Sequence, residues 1–140
     1  ANGLIADETE TKLAGFAENK DEKYEVILLD GRKFSFDLKY ADPACDFILQ
    51  GNNLFIANYH PIATGSSLYC YDISAQKIKW QADVKQVNAS HSEYYNTVII
   101  STYKNKIVME GNEAYGNYVQ IFDAESGKRL AAFGDFISYE

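Results

Sequence analysis

An all-β fold is what this sequence predicts, and three observations carry the prediction. The first is an internal repeat: Gly65, Asp72 and Lys77 of GSSLYCYDISAQKIKW recur as Gly116, Asp123 and Lys128 of GNYVQIFDAESGKRLAAF, each 51 residues on. The second is composition, since 11 Tyr and 8 Phe against 2 Pro and 1 Met is a balance that suits strands. The third is Asp30-Gly31 between two alternating runs, a strong short-range hairpin signal. Residues 1–140 are expected to form one domain with two four-stranded antiparallel meander repeats, over 46–84 and 96–134. A hairpin at 24–39 and a polar lead-in at 1–23 precede them.

The lead-in shows little periodicity. Within it Lys12-Leu13-Ala14-Gly15-Phe16 is similar to Arg129-Leu130-Ala131-Ala132-Phe133, which favours a short strand near 11–17. A helix over 7–17 is the competitor, weakened by Gly15. In the hairpin Phe34, Phe36 and Leu38 fall on one face and Ser35, Asp37 and Lys39 on the other, joined by a two-residue turn with both central residues at positive φ. Asp42-Pro43-Ala44 then breaks the chain.

Each repeat opens with an apolar strand pair. Phe47 to Gln50 faces Leu54 to Tyr59 across Gly51-Asn52-Asn53, and Thr97 to Thr102 faces Ile107 to Met109 across Lys104-Asn105. The repeated motif supplies the other two strands. In the second copy Val119, Ile121 and Asp123 alternate with Gln120 and Phe122, Glu125-Ser126-Gly127 supplies the turn, and Lys128 to Phe133 returns.

The run Asp72 to Trp80 resembles the blade motif of PQQ-like β-propeller repeats, in which an Asp ends one strand, a Thr-Gly-Lys turn follows and a Trp stands eight residues past the Asp. The first copy keeps Asp72, Lys77 and Trp80 but has Ala75-Gln76 for Thr-Gly. The second keeps Asp123, Ser126, Gly127 and Lys128 but has Ala131 at the Trp position. The resemblance covers 46–134 and implies the meander, with nothing catalytic. Two arrangements follow: a sandwich or flattened barrel, which lets one chain bury both apolar faces, or propeller-like blades, with two chains as a homodimer completing a ring.

Lys and Arg number 13 against 20 Asp and Glu, a net charge of −7. Nucleic acid is excluded as a partner by the lack of a basic stripe, whereas a basic protein would be attracted. No apolar run reaches the length of a membrane span, so no membrane partner is expected.

Cys70 alternates with Leu68 and corresponds to Ile121, which directs it to the core, and Cys45 opens an earlier strand. In an exported protein a Cys45–Cys70 disulfide is expected, contributing about 3 kcal/mol in the chain-entropy model. Two buried thiols are the alternative.

No enzyme is expected. His60 and His91 belong to no metal-spaced cluster, and no phosphate loop, nucleophile elbow or calcium loop occurs, so neither cofactor nor metal is expected. Asp72 and Asp123 end strands, where Asp accepts backbone hydrogen bonds. Trp80 reads as core, with Ile78 and Ala82 on its strand face. Asn88-Ala89-Ser90 is a glycosylation sequon.

The remaining candidates are two longer loops, 59–67 and 111–118, rich in Tyr, Ser, Asn and Gly, which suit recognition. Thr64, Gly65, Ser66, Tyr115, Gly116 and Tyr118 are the expected partner-binding residues. Tyr115-Gly116-Asn117-Tyr118 is similar, at Gly116 and Tyr118, to the Ser-Gly-x-Tyr loop of small periplasmic lysozyme inhibitors. That resemblance implies a basic cleft enzyme such as lysozyme as partner. The expected function is therefore an exported, periplasmic or secreted, non-catalytic protein-binding module; a structural or assembly module of PQQ-like blades is the alternative.

Overall fold

The computed structural model describes residues 2–7, 12–20, 23–37, 44–59, 67–85, 96–113 and 116–134. They form twelve strands in chain order: β1 (Asn2–Asp7), β2 (Lys12–Lys20), β3 (Lys23–Leu28), β4 (Lys33–Asp37), β5 (Ala44–Gln50), β6 (Asn53–Tyr59), β7 (Ser67–Asp72), β8 (Lys77–Asp83), β9 (Asn96–Tyr103), β10 (Lys106–Glu113), β11 (Gly116–Asp123) and β12 (Arg129–Phe133). Each strand pairs antiparallel with its sequence neighbour within three four-stranded meanders, β1–β4, β5–β8 and β9–β12. The first two meanders are joined where β1 runs parallel to β5, at Ala6↔Ile48 and Asp7↔Leu49.

The two repeats lie where the offset places them, and the chain before them holds a complete third meander. The expected lead-in is β1 and β2, and the 24–39 hairpin is β3 and β4 completing the sheet. The helix over 7–17 does not form. Its weak point, Gly15, lies where β2 meets β3: a Cβ there would collide with the Ile27 carbonyl and stand 2.8 Å from Leu28 Cα. These polar strands are specified by pairing with neighbours more than by their own alternation, which is why the sequence pattern underreports them.

The Asp30-Gly31 turn also differs from expectation. Gly31 N–H donates to Leu28 O at 3.0 Å, Leu28 N–H donates to Arg32 O at 2.9 Å, and Gly31 alone has positive φ, at 97°. This is a three-residue loop closed by a bulged Gly, in place of a two-residue turn. Between β9 and β10 the two-residue form does occur, with Lys104 at φ 45° and Asn105 at φ 62°.

Packing decides between the two expected arrangements. The β5–β8 sheet buries both faces: Phe47, Leu49, Leu54, Ile56, Tyr69, Tyr71 and Ile73 pack with Val26 and Leu28 of β3. Ile48, Phe55, Ala57, Leu68 and Cys70 pack with Val98, Ile100, Ile107, Met109 and Phe122 of the last meander. A two-layer sandwich would leave the other face of each sheet wet, so a middle sheet covered twice is a stack of propeller-like blades. The strand β5 lies beside both β1 and β9, so the first strands of the meanders gather on one side of the stack.

The Cys45–Cys70 bridge is absent, and Cys70 is a buried free thiol. Cys45 pairs with Asn58 across one edge of β6, and Cys70 pairs with Phe55 across the other. Two strand spacings and a three-residue offset separate their Cα atoms by about 14 Å, beyond the roughly 7 Å that a disulfide spans.

Candidate functional site

The loop expected at 111–118 is mostly ladder. Pairing between β10 and β11 runs to Glu113↔Gly116, leaving only 114 and 115 as the connection. Gly116 is the first residue of β11, opposite Glu113, and Tyr118 is 3% exposed, opposite Gly111. Tyr118 is therefore a core residue, and the likeness to lysozyme inhibitors loses the aromatic that would reach a partner. Thr64, Gly65, Ser66 and Tyr115 lie outside the described residues, as do His60, His91 and the sequon at 88–90.

The turn carboxylates behave as their positions require. Asp72 Oδ1 accepts from Ala75 N at 2.9 Å and from Asn52 Nδ2 at 2.7 Å. Asp123 Oδ2 accepts from Ser126 N at 2.8 Å and Ser126 Oγ at 2.7 Å. Hydrogen bonds from Ala75 and Asn52 hold the Asp72 carboxyl below its ordinary range, and those from Ser126 do the same for Asp123. Both are turn clamps, held ionised. Burial pushes the Cys70 thiol up to about 11, which keeps it protonated and makes it a packing group.

The most elaborated region is the seam between β5–β8 and β9–β12. Trp80 packs partly buried against the shared core, with its ring 6.1 Å from that of Phe55 and its Nε1–H donating to Ala124 O at 3.1 Å. Gln120, 2% exposed, accepts from Lys85 N at 3.0 Å and donates to Lys85 O at 3.2 Å, so its buried amide clamps the chain leaving β8. Toward the first strands, Asp46 Oδ2 accepts from Ile100 N at 2.7 Å, and Gln50 Nε2 donates to Thr102 Oγ1 at 3.2 Å. Sequence reasoning missed Asp46 and Gln120. A signal existed for Gln120, an amide between Tyr118 and Phe122 in an alternating strand; Asp46 carried none.

Ile78 is not on the Trp80 face. A bulge between Cys70 and Tyr71 sets Trp80 opposite Cys70 and Ile78 opposite Tyr71, leaving Ile78 38% exposed.

The candidate site is the other face of the β9–β12 sheet, which no described element covers. Register groups its residues in rows, because opposed residues share a face. Ile99, Glu110, Val119 and Phe133 form one row, and Ser101, Val108, Ile121 and Ala131 the next. Ile99 is 56% and Phe133 59% exposed, while Val108, Val119, Ile121 and Ala131 are half-buried. Tyr103, Lys106 and Asp123 border this apolar field. Aligned on the first turns of the two meanders, the rows match Asp46, Ala57, Leu68, Ala82 and Ile48, Phe55, Cys70, Trp80 of the β5–β8 sheet, the face that carries the last meander.

Among the described residues, no group of His, Cys, Asp and Glu is arranged to hold a metal ion, and no helix is long and apolar enough to cross a membrane. No family model matches this sequence, and no curated protein matches it. Solved structures share the fold. One is BamB from Moraxella catarrhalis, with a TM-score of 0.63 at 12% identity over 93% of this chain and 36% of that one. Another is the quinohemoprotein alcohol dehydrogenase from Comamonas testosteroni, with a TM-score of 0.57 at 14% identity over 97% of this chain and 22% of that one. The chain thus spans about a third of the first and under a quarter of the second. Both are β-propeller proteins, and this chain shares their fold of propeller-like four-stranded blades.

Proposed function

We propose that this chain is a non-catalytic protein-binding module that engages its partner through the outer face of the β9–β12 sheet. The observation that carries the reading is the apolar field of Ile99, Val119, Ile121 and Phe133 on a sheet face that no described element covers. Of the loop residues first expected to bind, Tyr118 belongs to the core, and Thr64, Gly65, Ser66 and Tyr115 lie outside the described residues. A lysozyme partner is not part of the proposal for the same reason, and export loses the support that a Cys45–Cys70 bridge would have given. The non-catalytic reading is supported by the engagement of Asp72 and Asp123 in turn hydrogen bonds, which hold both carboxyls below the ordinary range and so make them weak bases with no proton to donate near neutrality. A structural blade role is the second reading, favoured by the hydrogen-bonded seam at Gln120 and Trp80.

A photo-activated cross-linking residue placed at 133 or 99 in the source cells tests the reading. A protein adduct is expected from both positions and none from position 74, an exposed turn residue. Absence of an adduct at 133 and 99, or equal yield at 74, overturns it.

A further inference from the structure

We propose that the outer face of the β9–β12 sheet receives the first meander of a second copy of this chain, so that two chains join head to tail. The proposal rests on the reading of that face as the binding surface and names its occupant. Its first support is continuity of register: row by row the face aligns with the β5–β8 face on which the last meander already sits, apolar again at Val108, Val119, Ile121 and Ala131, with Glu110 and Ser101 in the places of Ala57 and Ile48. A surface of this shape takes a β-meander presented by its opposite face.

The second support is a matched residue at the far end of the stack. Ile73 and Ala124 are the first residues past the third strand of their meanders, and each donates its N–H to the first turn of its own meander, Ile73 to Asn52 O and Ala124 to Asn105 O. Both are buried, at 4% and 5% exposure. Leu29 holds the corresponding place after β3 and is 64% exposed. In the existing seam a large residue, Trp80, meets a small pair, Ala124 and Gly127. At the free end the sizes are exchanged, because Ala131 stands where Trp80 would and the incoming turn would bring Leu29. Large against small in either order fills the same space.

The third support is closure. The described residues form three meanders, and two copies bring six together, within the roughly four to eight blades that close a ring. A head-to-tail contact that closes on itself stops at the dimer. The net charge of −7 on each copy opposes the encounter, so added salt strengthens the association.

Light scattering on the purified 140-residue chain, from micromolar to hundreds of micromolar, tests the proposal. The expected result is a dimer whose population grows with concentration and with sodium chloride. Leu29→Asp and Phe133→Asp should each weaken it by about tenfold or more, since each buries a charge in the contact. Mixing the two variants should restore association, because the intact face of one meets the intact turn of the other. Ile99→Asp serves in place of Phe133→Asp if that variant loses its far-ultraviolet signature. A monomer throughout overturns the inference. So does a dimer weakened at Phe133 and indifferent to Leu29, which would indicate like faces pairing or another occupant. A monomeric pure chain that still gives cross-linked adducts from position 133 to a different protein overturns this inference alone; a monomer without adducts overturns the binding reading as well.

Discussion

The indole of Trp80 lies so close over Gly127 that a Cβ on Gly127 would stand 2.5 Å from Cε3 and 2.6 Å from Cδ2. Gly127 also holds φ at 77°, a conformation that side-chain-bearing residues avoid. The fourth strand of one meander is thus fitted to the turn of the next by a residue that must lack a side chain. The two incomplete motif copies, Trp without Gly and Gly without Trp, are the two halves of one contact.

Gly127→Ala should cost about 2–4 kcal/mol, the sum of backbone strain and overpacking against the indole. In a Trp80→Ala background the same change should cost only about 1 kcal/mol, because the overpacking is relieved. Urea denaturation of the four proteins measures the coupling, and additive costs would show that the two residues do not meet.

How much of this was legible in the sequence follows from how local each signal is. The meanders at 46–84 and 96–134 were legible because alternation and turn residues act within a few positions, as at Lys104-Asn105. The strands β1 and β2 were not, because their polar residues take their conformation from pairing with neighbours. Tyr118 was misplaced since Gly, Asn and Tyr together suggest a loop, while the ladder continues to Gly116 and turns Tyr118 inward. Trp80 was recognised as core, but its contact with Gly127 joins positions that nothing in the one-dimensional pattern relates. Asp46 and Gln120 act across the seam, and their roles exist only once the sheets are stacked.

Tyr118→Ala should cost about 3–5 kcal/mol through the cavity it leaves. Thermal or urea unfolding checks this, and a loss under about 0.5 kcal/mol would return Tyr118 to the surface.

Gln76 occupies the turn position corresponding to Gly127 and holds φ at 54° without being glycine. Gln76→Gly should therefore raise stability by up to about 1 kcal/mol, the relief of a left-handed conformation less the entropy of the freer unfolded chain. A loss of stability on this substitution would mean that the Gln76 side chain contributes a contact outweighing its backbone strain.

Asp46 gives the fold a dependence on pH opposite in sign to that of the turn carboxylates. Burial raises the proton affinity of its carboxyl above the ordinary 3.8, and the hydrogen bonds from Ile100 and Phe47 offset this only in part. A group whose folded pKa is raised contributes stability that is full below its unfolded pKa and is lost as pH rises through the folded one. Asp72 and Asp123, with lowered values, contribute stability above the ordinary range that is lost as pH falls through their folded values. Comparing the wild type with Asp46→Asn cancels the shared turn residues and isolates Asp46. The amide keeps an oxygen to accept from Ile100 N–H and cannot titrate. Relative to the wild type, the variant should gain stability as pH rises from below 3.8 toward neutrality, and most of the gain should come just above 3.8. Asp46→Leu, which leaves the Ile100 N–H without its acceptor, should be less stable than Asp46→Asn at every pH, by about 1–3 kcal/mol. Urea denaturation across a pH series reads both differences. A gap between wild type and Asp46→Asn that stays constant with pH would mean that Asp46 is no more buried in the folded chain than in the unfolded one.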